Sequence, residues 1–236
     1  MSGRVLALVH GVRPEWREAV LGTLLPAFRN RAFSVEIRDV EDGPLADPAG
    51  FDVVCVTGSP DSAYDESLPW LRPELTYLED AITRGVPILG VCFGSQILAR
   101  ALGGSVAPSA RPEHGFTTVD TTRPDLVEAG PWMEYHHDTV SVSGVAEVVA
   151  RNDAGVQAYV SGPHLGVQFH PEITPDVFRA WREGFTSPRS GIDDGKVDTK
   201  GIVADIENSS ADAEASCDRL VERFLAHAGV RVPAAG

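Results

Sequence analysis

Positive charge is scarce in this chain, which has only two lysines, Lys196 and Lys200, among its 236 residues. Lysine and arginine together number 20 against 34 aspartates and glutamates, so the formal net charge is −14 at pH 7. Proteins that bind nucleic acids need clustered basic residues to neutralise phosphates, and here the arginines are scattered. A charge of this size serves solubility more often than it recruits a basic partner. We therefore predict no nucleic-acid partner.

Cysteines and long apolar runs are also few. The three cysteines, Cys55, Cys92 and Cys217, form no C-x-x-C spacing, which argues against a disulfide framework and against a zinc site of that kind. No apolar run approaches the length of about 20 residues that a membrane span needs, and the first residues lack a basic segment followed by an apolar stretch. These absences predict a protein of a reducing compartment, cytoplasmic and without a membrane partner.

One short stretch, H-H-D at residues 136–138, brings together side chains that could ligate a metal. Adjacent residues on a strand point to opposite faces of the sheet. His136, His137 and Asp138 therefore cannot easily share one ion. We predict no metal site and no other cofactor.

The first hundred residues alternate between strand-like and helix-like segments. The strand-like runs are residues 4–10, 34–38, 51–57 and 86–91, and helical spacing covers residues 14–30, 69–84 and 97–102. Alternation of this kind is typical of a mostly parallel sheet with flanking helices. The fold class that it predicts is α/β.

The character of the chain changes after residue 105. Shorter β-rich stretches at residues 114–121, 139–142, 147–150 and 156–160 predict an antiparallel extension of the sheet, and residues 175–185 predict a short helix.

The final fifty residues divide into two parts. Residues 186–210 have too few large apolar groups to offset the entropy of ordering. They predict a mobile acidic loop, interpreted either as a surface insertion or as a lid. The apolar stripe of residues 211–228 then predicts a closing helix. We interpret the whole chain, residues 1–236, as one domain.

The sequence G-V-C-F-G-S-Q at residues 90–96 carries the first chemical signal. A cysteine between two glycines, where a strand turns into a helix, is typical of a nucleophile elbow, which exposes the side chain at the end of the sheet. The N-terminus of the following helix favours a thiolate and can stabilise a developing oxyanion. Cys92 is thus the predicted nucleophile, whereas Cys55 and Cys217 lie in apolar surroundings that predict inert core thiols.

The sequence Q-F-H-P-E at residues 168–172 supplies the predicted partners of that cysteine. His170 and Glu172 are two residues apart at the end of a strand, so their side chains lie on the same side. His170 can take the thiol proton while Glu172 orients the imidazole.

These two motifs resemble those of class I glutamine amidotransferases, and the likeness covers most of residues 4–185. In that family G-x-C-x-G-x-Q carries the nucleophile and a substrate-contacting glutamine, which Cys92 and Gln96 match. H-P-E carries the other two triad members, which His170 and Glu172 match. The resemblance implies a flavodoxin-like fold and hydrolysis of the glutamine side-chain amide through a γ-glutamyl thioester.

The likeness extends to a loop at residues 57–62, T-G-S-P-D-S. It resembles the S-G-G-P-E-S loop in the amidotransferase half of GMP synthetases, with Ser59 in place of the second glycine. The resemblance implies that backbone amides of this loop, at Gly58 and Ser59, help to bind the oxyanion of the substrate. The amide of Phe93, which opens the helix after Cys92, is a further predicted substrate contact.

Two further segments resemble the substrate pocket of the same family. One is R-P-E-H-G at residues 111–115, and the other is Y-H-H-D at residues 135–138, where relatives show S-H-G-D. Tyr135 therefore replaces a serine and His137 replaces a glycine. We predict that His137 contacts the substrate. We also expect both changes to affect which substrate the pocket accepts.

The fate of the released nitrogen is open at this point. No ATP-pyrophosphatase signature occurs in the chain, so one hypothesis is a glutaminase that supplies ammonia to a separate partner synthetase. A second is a free-standing hydrolase of γ-glutamyl amides or peptides, which would resemble the same family. A third, a catalytically silent binding protein, is disfavoured because the triad is complete.

Overall fold

An eight-stranded sheet forms the centre of the structure, a computed structural model that describes residues 3–189 and 197–232. Its parallel strands are β1 (Gly3–Val9), β2 (Phe33–Asp39), β3 (Val53–Val56), β4 (Ile88–Val91) and β10 (His164–Val167). Its antiparallel strands are β6 (Asp120–Thr121), β8 (Glu147–Asn152) and β9 (Gly155–Ser161). The order across the sheet is β2-β1-β3-β4-β10-β9-β8-β6. The prediction of a mostly parallel sheet with an antiparallel extension is confirmed.

Helices cover both faces of this sheet. The described residues contain α1 (Leu24–Arg29), α2 (Leu71–Thr83), α3 (Phe93–Ala101), α4 (Pro175–Glu183) and α5 (Thr199–His227). On β3, Val53 and Cys55 pack with α1 and α5, whereas Val54 and Val56 pack with α2 and α3. All four side chains are fully buried, which explains why this strand is a continuous apolar run rather than an alternating one.

Residues 139–141 and the first part of the predicted stretch 114–121 form a separate sheet instead of extending the central one. They belong to β5 (Ser105–Thr117) and β7 (Trp132–Ser141), which pair antiparallel with each other. The central sheet offers them no edge at β9, because β9 is hydrogen-bonded to β10 on one side and to β8 on the other. The prediction of a single extended sheet was therefore wrong for these two strands.

The predicted helix at residues 14–30 is also interrupted. The segment forms two short 3₁₀ turns, Pro14–Trp16 and Ala19–Leu21, before the six-residue α1. The break is at Gly22, whose φ is 45° and where a Cβ atom would lie 2.0 Å from the carbonyl oxygen of Glu172. Close packing against the H-P-E segment therefore ends the helical periodicity.

The last helix begins twelve residues earlier than predicted, at Thr199 rather than residue 211. Asp198 caps it by accepting a hydrogen bond from the Gly201 amide at 3.0 Å. Ile202 and Ile206 are buried against Trp181 of α4 and its neighbours. These two isoleucines lie one helical turn apart. Their packing explains why residues 199–210, the second half of the predicted mobile loop, are helical.

The rest of that predicted loop includes residues 190–196, which lie outside the described residues, and its role as a lid stays a prediction. Within the described ranges, no helix is both long enough and apolar enough to cross a bilayer.

The packing of Ile206 can be tested by truncation. We expect Ile206→Ala to lower the free energy of unfolding by about 2–4 kcal/mol, because a buried isoleucine is lost. The exposed neighbour Glu207 is the matched control, and Glu207→Ala should change it by no more than about 0.5 kcal/mol. Equal effects of the two substitutions in urea unfolding would contradict the packed helix.

Candidate active site

The predicted nucleophile lies at a strained turn between β4 and α3. Cys92 has φ 51° and ψ −110°, a backbone conformation with positive φ that residues other than glycine rarely adopt. The positive φ falls on the cysteine itself and not on the flanking Gly90 or Gly94. A Cβ on Gly94 would lie 2.0 Å from the carbonyl oxygen of Val56, and one on Gly90 would lie 2.5 Å from that of Gly94. The glycines therefore allow close backbone packing that holds the turn.

Strand β10 and the segment after it bring His170 to the same place. The amide of Cys92 donates to the carbonyl of Val167 at 2.9 Å, and the amide of His170 donates to the carbonyl of Met133 at 2.7 Å. The elbow is thus hydrogen-bonded directly to the strand that leads to the predicted base. His170 is anchored in turn to β7.

Glu172, the predicted orienting residue, contacts the imidazole of His170. His170 Nδ1 lies 2.7 Å from Glu172 Oε1, and both side chains are almost completely buried. Thr23 makes two hydrogen bonds to the backbone of the H-P-E segment. Its hydroxyl donates to the carbonyl of Pro171 at 3.1 Å, and its amide donates to the carbonyl of Glu172 at 3.1 Å. The indole of Trp181 contacts the imidazole, with ring centroids 4.4 Å apart.

The electrostatics of the pair favour an imidazolium. Burial alone would lower the pKa of His170, but the Glu172 carboxylate and the hydrogen-bonded sulfur of Cys92 outweigh burial and hold that pKa well above its ordinary value. A protonated His170 next to Cys92 is the arrangement that stabilises a thiolate.

The other two cysteines differ from Cys92 in their surroundings. Cys55 and Cys217 are completely buried in the core between the sheet, α1 and α5. Burial raises the pKa of the Cys55 thiol far above its usual range and raises that of Cys217 to about 12. Both are core thiols that stay protonated at neutral pH.

A cleft opens above Cys92 and collects most of the predicted substrate contacts. Gly58, Ser59, Gln96 and His137 line it together with Cys92 and His170. The side chain of Phe93 does not line the cleft; it is buried against His10 and Trp70. The predicted role of Phe93 therefore rests on its backbone amide alone.

Sequence reasoning missed an aromatic wall on the His170 side of this cleft. Tyr135, Trp181 and Phe185 line the cleft, and the rings of Tyr135 and Trp181 lie 5.8 Å apart. In the sequence, Trp181 is simply one of the apolar residues of a short helix. Its position beside His170 depends on how α4 folds back against β7, which no local motif records.

Sequence reasoning also missed a buried charge cluster next to the cleft. His136 Nε2 lies 3.1 Å from Glu113 Oε2 and 3.3 Å from Glu134 Oε2, and its Nδ1 lies 2.9 Å from the carbonyl oxygen of Asp138. The two carboxylates overcome burial and raise the pKa of His136 to about 10. A protonated His136 that donates to the Glu113 and Glu134 carboxylates explains why these three side chains lie so close together.

The same cluster bears on the prediction of no metal site. In the part of the chain that the structure describes, Glu113, Glu134 and His136 are the group whose potential ligand atoms all lie within 4.8 Å of one another. His137 and Asp138, the two neighbours weighed as ligands from the sequence, do not belong to it. Glu113 comes from β5, so only the pairing of β5 with β7 reveals the cluster.

A family model, several curated proteins and several solved structures match this chain. The family model described as glutamine amidotransferase class-I matches residues 18–181. The GMP synthase [glutamine-hydrolyzing] of Synechocystis sp. is 32% identical over 133 residues, which are 52% of this chain but only 23% of that protein. The match thus spans about a quarter of that relative's length.

Shorter relatives are matched over more of their length. One is named as a single subunit of GMP synthase [glutamine-hydrolyzing]; it comes from Ignicoccus hospitalis and is 32% identical over 55% of this chain and 71% of its own. Among solved structures, a glutamine amidotransferase from Thermotoga maritima superposes with a TM-score of 0.80 at 26% identity, covering 95% of this chain and 99% of that one.

The assignment of the nucleophile predicts a sharp difference among the cysteines. Cys92→Ala should abolish ammonia release from glutamine while the protein stays folded, because no other group can form the thioester. Cys217→Ala should retain activity and lose only about 1 kcal/mol of stability. Ammonia release and circular dichroism check both variants, and activity in Cys92→Ala would contradict the assignment.

The assignment of Glu172 predicts a loss of catalysis and of proton affinity at His170. Glu172→Gln should lower kcat/KM by about 10²–10⁴-fold, as when the orienting acid of a triad is neutralised, and the pKa of His170 should fall. Asp176→Asn, on the exposed first turn of α4, is the control. An unchanged kcat/KM in Glu172→Gln would refute its role.

The raised pKa also fixes how this ion pair contributes to stability. The pKa of His170 is higher in the folded than in the unfolded protein. The ion pair therefore contributes its full stabilisation below the pKa of the unfolded protein, about 6.5, and loses it as pH rises through the pKa of the folded protein. The stability difference between wild type and Glu172→Gln should therefore shrink with rising pH.

Proposed function

Because the chain belongs to the class I glutamine amidotransferase family, we propose that it hydrolyses the side-chain amide of glutamine and supplies the ammonia to a separate synthetase. The proposal rests on the strained Cys92 and the buried His170–Glu172 pair, since Cys92 and His170 line one cleft.

In the first step the Cys92 thiolate attacks the γ-carboxamide carbon, and the carbonyl oxygen becomes an oxyanion. Amides in the first turn of a helix have no intrahelical acceptor, so the Phe93 amide at the start of α3 is one donor to that oxygen. The loop of Gly58 and Ser59, which lines the same cleft, supplies the second.

In the second step the tetrahedral intermediate collapses. The C–N bond breaks, His170 gives its proton to the departing nitrogen, and ammonia leaves a γ-glutamyl thioester on Cys92. Glu172 keeps the imidazole in place during this transfer. Water, deprotonated by the now neutral His170, then attacks the thioester, so that glutamate leaves and the thiolate is restored.

Two relatives support a separate acceptor for the ammonia. The GMP synthase subunits from Ignicoccus hospitalis and Sulfolobus acidocaldarius are matched over 71% and 68% of their lengths, at 32% and 35% identity. Each is named as one subunit of a glutamine-hydrolysing synthase rather than as the whole enzyme. We propose the same division of labour for this chain.

A second candidate is a self-sufficient hydrolase of γ-glutamyl amides or peptides. The aromatic wall of Tyr135, Trp181 and Phe185 favours it, because His170 must face the leaving nitrogen and this wall lies next to His170. Ammonia needs no apolar contact. An alkyl or aryl amine would bury apolar surface there.

The ratio of kcat/KM between substrates separates the two candidates, since it reports differential stabilisation of the transition state. For a glutaminase we expect the isolated chain to release ammonia slowly from L-glutamine and to show no preference for γ-glutamyl alkylamides or glutathione. Cys92→Ala gives the background rate.

The contrary result is a kcat/KM for the alkylamides or glutathione that is more than about tenfold above that for glutamine, or about 1.4 kcal/mol of differential stabilisation. Tyr135→Ser, which restores the residue of relatives, then provides a matched test. It should reduce the preference for the larger substrates and leave glutamine turnover unchanged.

A further inference from the structure

A second buried histidine–glutamate pair lies beside the triad and has no part in the reaction as derived so far. His10 follows the last residue of β1, and its Nε2 lies 3.0 Å from Oε1 of Glu74 on α2. Neither side chain has any exposed surface. A buried ion pair contributes little to stability on balance. The position of this pair next to the active site therefore suggests a role other than stability.

The other nitrogen of the same imidazole reaches the oxyanion loop. His10 Nδ1 lies 3.3 Å from the carbonyl oxygen of Gly58. A carbonyl oxygen can only accept a hydrogen bond, so Nδ1 carries the proton. The ring is held between Trp70 and Phe93, at centroid distances of 5.3 and 4.7 Å.

The protonation of His10 agrees with both contacts. Burial lowers the pKa of His10, but Glu74, the Gly58 carbonyl and the charge of Asp39 more than compensate and raise it above the ordinary value. A doubly protonated ring can donate to Glu74 and to Gly58 at once.

Planarity of the peptide bond gives this contact a consequence in the cleft. The carbonyl of Gly58 and the amide N–H of Ser59 belong to one trans peptide unit and point in opposite directions. With the carbonyl fixed on His10, the N–H of Ser59 is aimed the other way. Gly58 itself is adjacent to the reacting groups, since a Cβ there would lie 3.2 Å from His170 Cε1 and 3.9 Å from Cys92 Cβ.

A glycine in this loop makes the orientation easy to lose, because glycine permits backbone rotations that other residues do not. We propose that His10 and Glu74 are positioning residues, which hold the Gly58–Ser59 peptide so that the Ser59 amide donates to the oxyanion. The inference rests on the proposed function, since it concerns the transition state of that reaction.

An isosteric pair of variants tests the contact. In His10→Asn the side-chain amide takes the place of Nδ1 and can still donate to Gly58, whereas His10→Leu has the same shape and no donor. Both variants lose the contact with Glu74 equally. Any difference between them therefore reports the hydrogen bond to the loop.

Removing one oxyanion donor lowers kcat by about 10²–10³-fold. For His10→Leu we expect a loss of about 10–100-fold in kcat with KM nearly unchanged, since the donor is misaligned rather than deleted. His10→Asn should recover at least about tenfold of this loss. Both variants should stay folded by circular dichroism. His164→Leu is the control, because His164 is equally buried but lies at the far end of β10, and its kcat should stay at the wild-type level.

A second readout separates a misplaced donor from a damaged nucleophile. Alkylation of Cys92 by iodoacetamide forms no oxyanion, so its rate should be the same in wild type and His10→Leu. Equal kcat values for the Leu and Asn variants, or a parallel fall in alkylation and kcat, would overturn the role of His10 alone. Failure of the wild-type chain to turn over any γ-glutamyl substrate would overturn the proposed function, and this inference with it.

Discussion

The backbone turn at Cys92 is the constraint on which the rest of the site depends. A residue other than glycine at φ 51° costs about 1–3 kcal/mol and persists only when its surroundings impose it. Here the contact of Gly94 with the Val56 carbonyl and the hydrogen bond from Cys92 to Val167 impose it. Strands β3, β4 and β10 thus lock the elbow between them.

The same three strands explain why the reacting groups meet. They are parallel neighbours, so their carboxyl ends lie at one edge of the sheet. Gly58 follows β3, Cys92 follows β4 and His170 follows β10. Each reaches the cleft from a different strand, and their spacing is set by the sheet and not by any flexible connection.

Buried histidines paired with glutamates surround this edge. His170 with Glu172, His136 with Glu113 and Glu134, and His10 with Glu74 all combine an imidazole that burial would neutralise with carboxylates that keep it charged. Such pairs fix orientation more than they add stability. His170 and His136 line the cleft, and His10 contacts Gly58, which also lines it. Charged pairs as well as packing therefore surround the site.

Much of this could be predicted from the sequence because its signals are local. Strand-like runs predicted four of the five parallel strands, β1 to β4. The elbow and H-P-E pointed to Cys92, His170 and Glu172, which lie in two short segments of the chain. The features that were missed come from contacts between distant segments. Gly22 breaks a helical pattern because it packs on Glu172, and Glu113 meets His136 only through the pairing of β5 with β7.

The start of α5 was missed for a related reason. Residues 199–210 are polar apart from a few aliphatic positions, and their ordering depends on Ile202 and Ile206 finding Trp181. Composition alone could not show that these two side chains have a partner. The aromatic wall beside His170, formed by the same helix α4, was hidden in the same way.

Covalent trapping can show whether Cys92 is the group that attacks glutamine. A diazoketone analogue of glutamine carries a reactive carbon where the amide nitrogen would be, and it alkylates the group that attacks the γ-carbonyl. We expect one label per chain, located on Cys92 by peptide mass spectrometry, suppressed by excess glutamine and absent from Cys92→Ala. Labelling of another residue, or labelling of Cys92 that glutamine does not suppress, would contradict it.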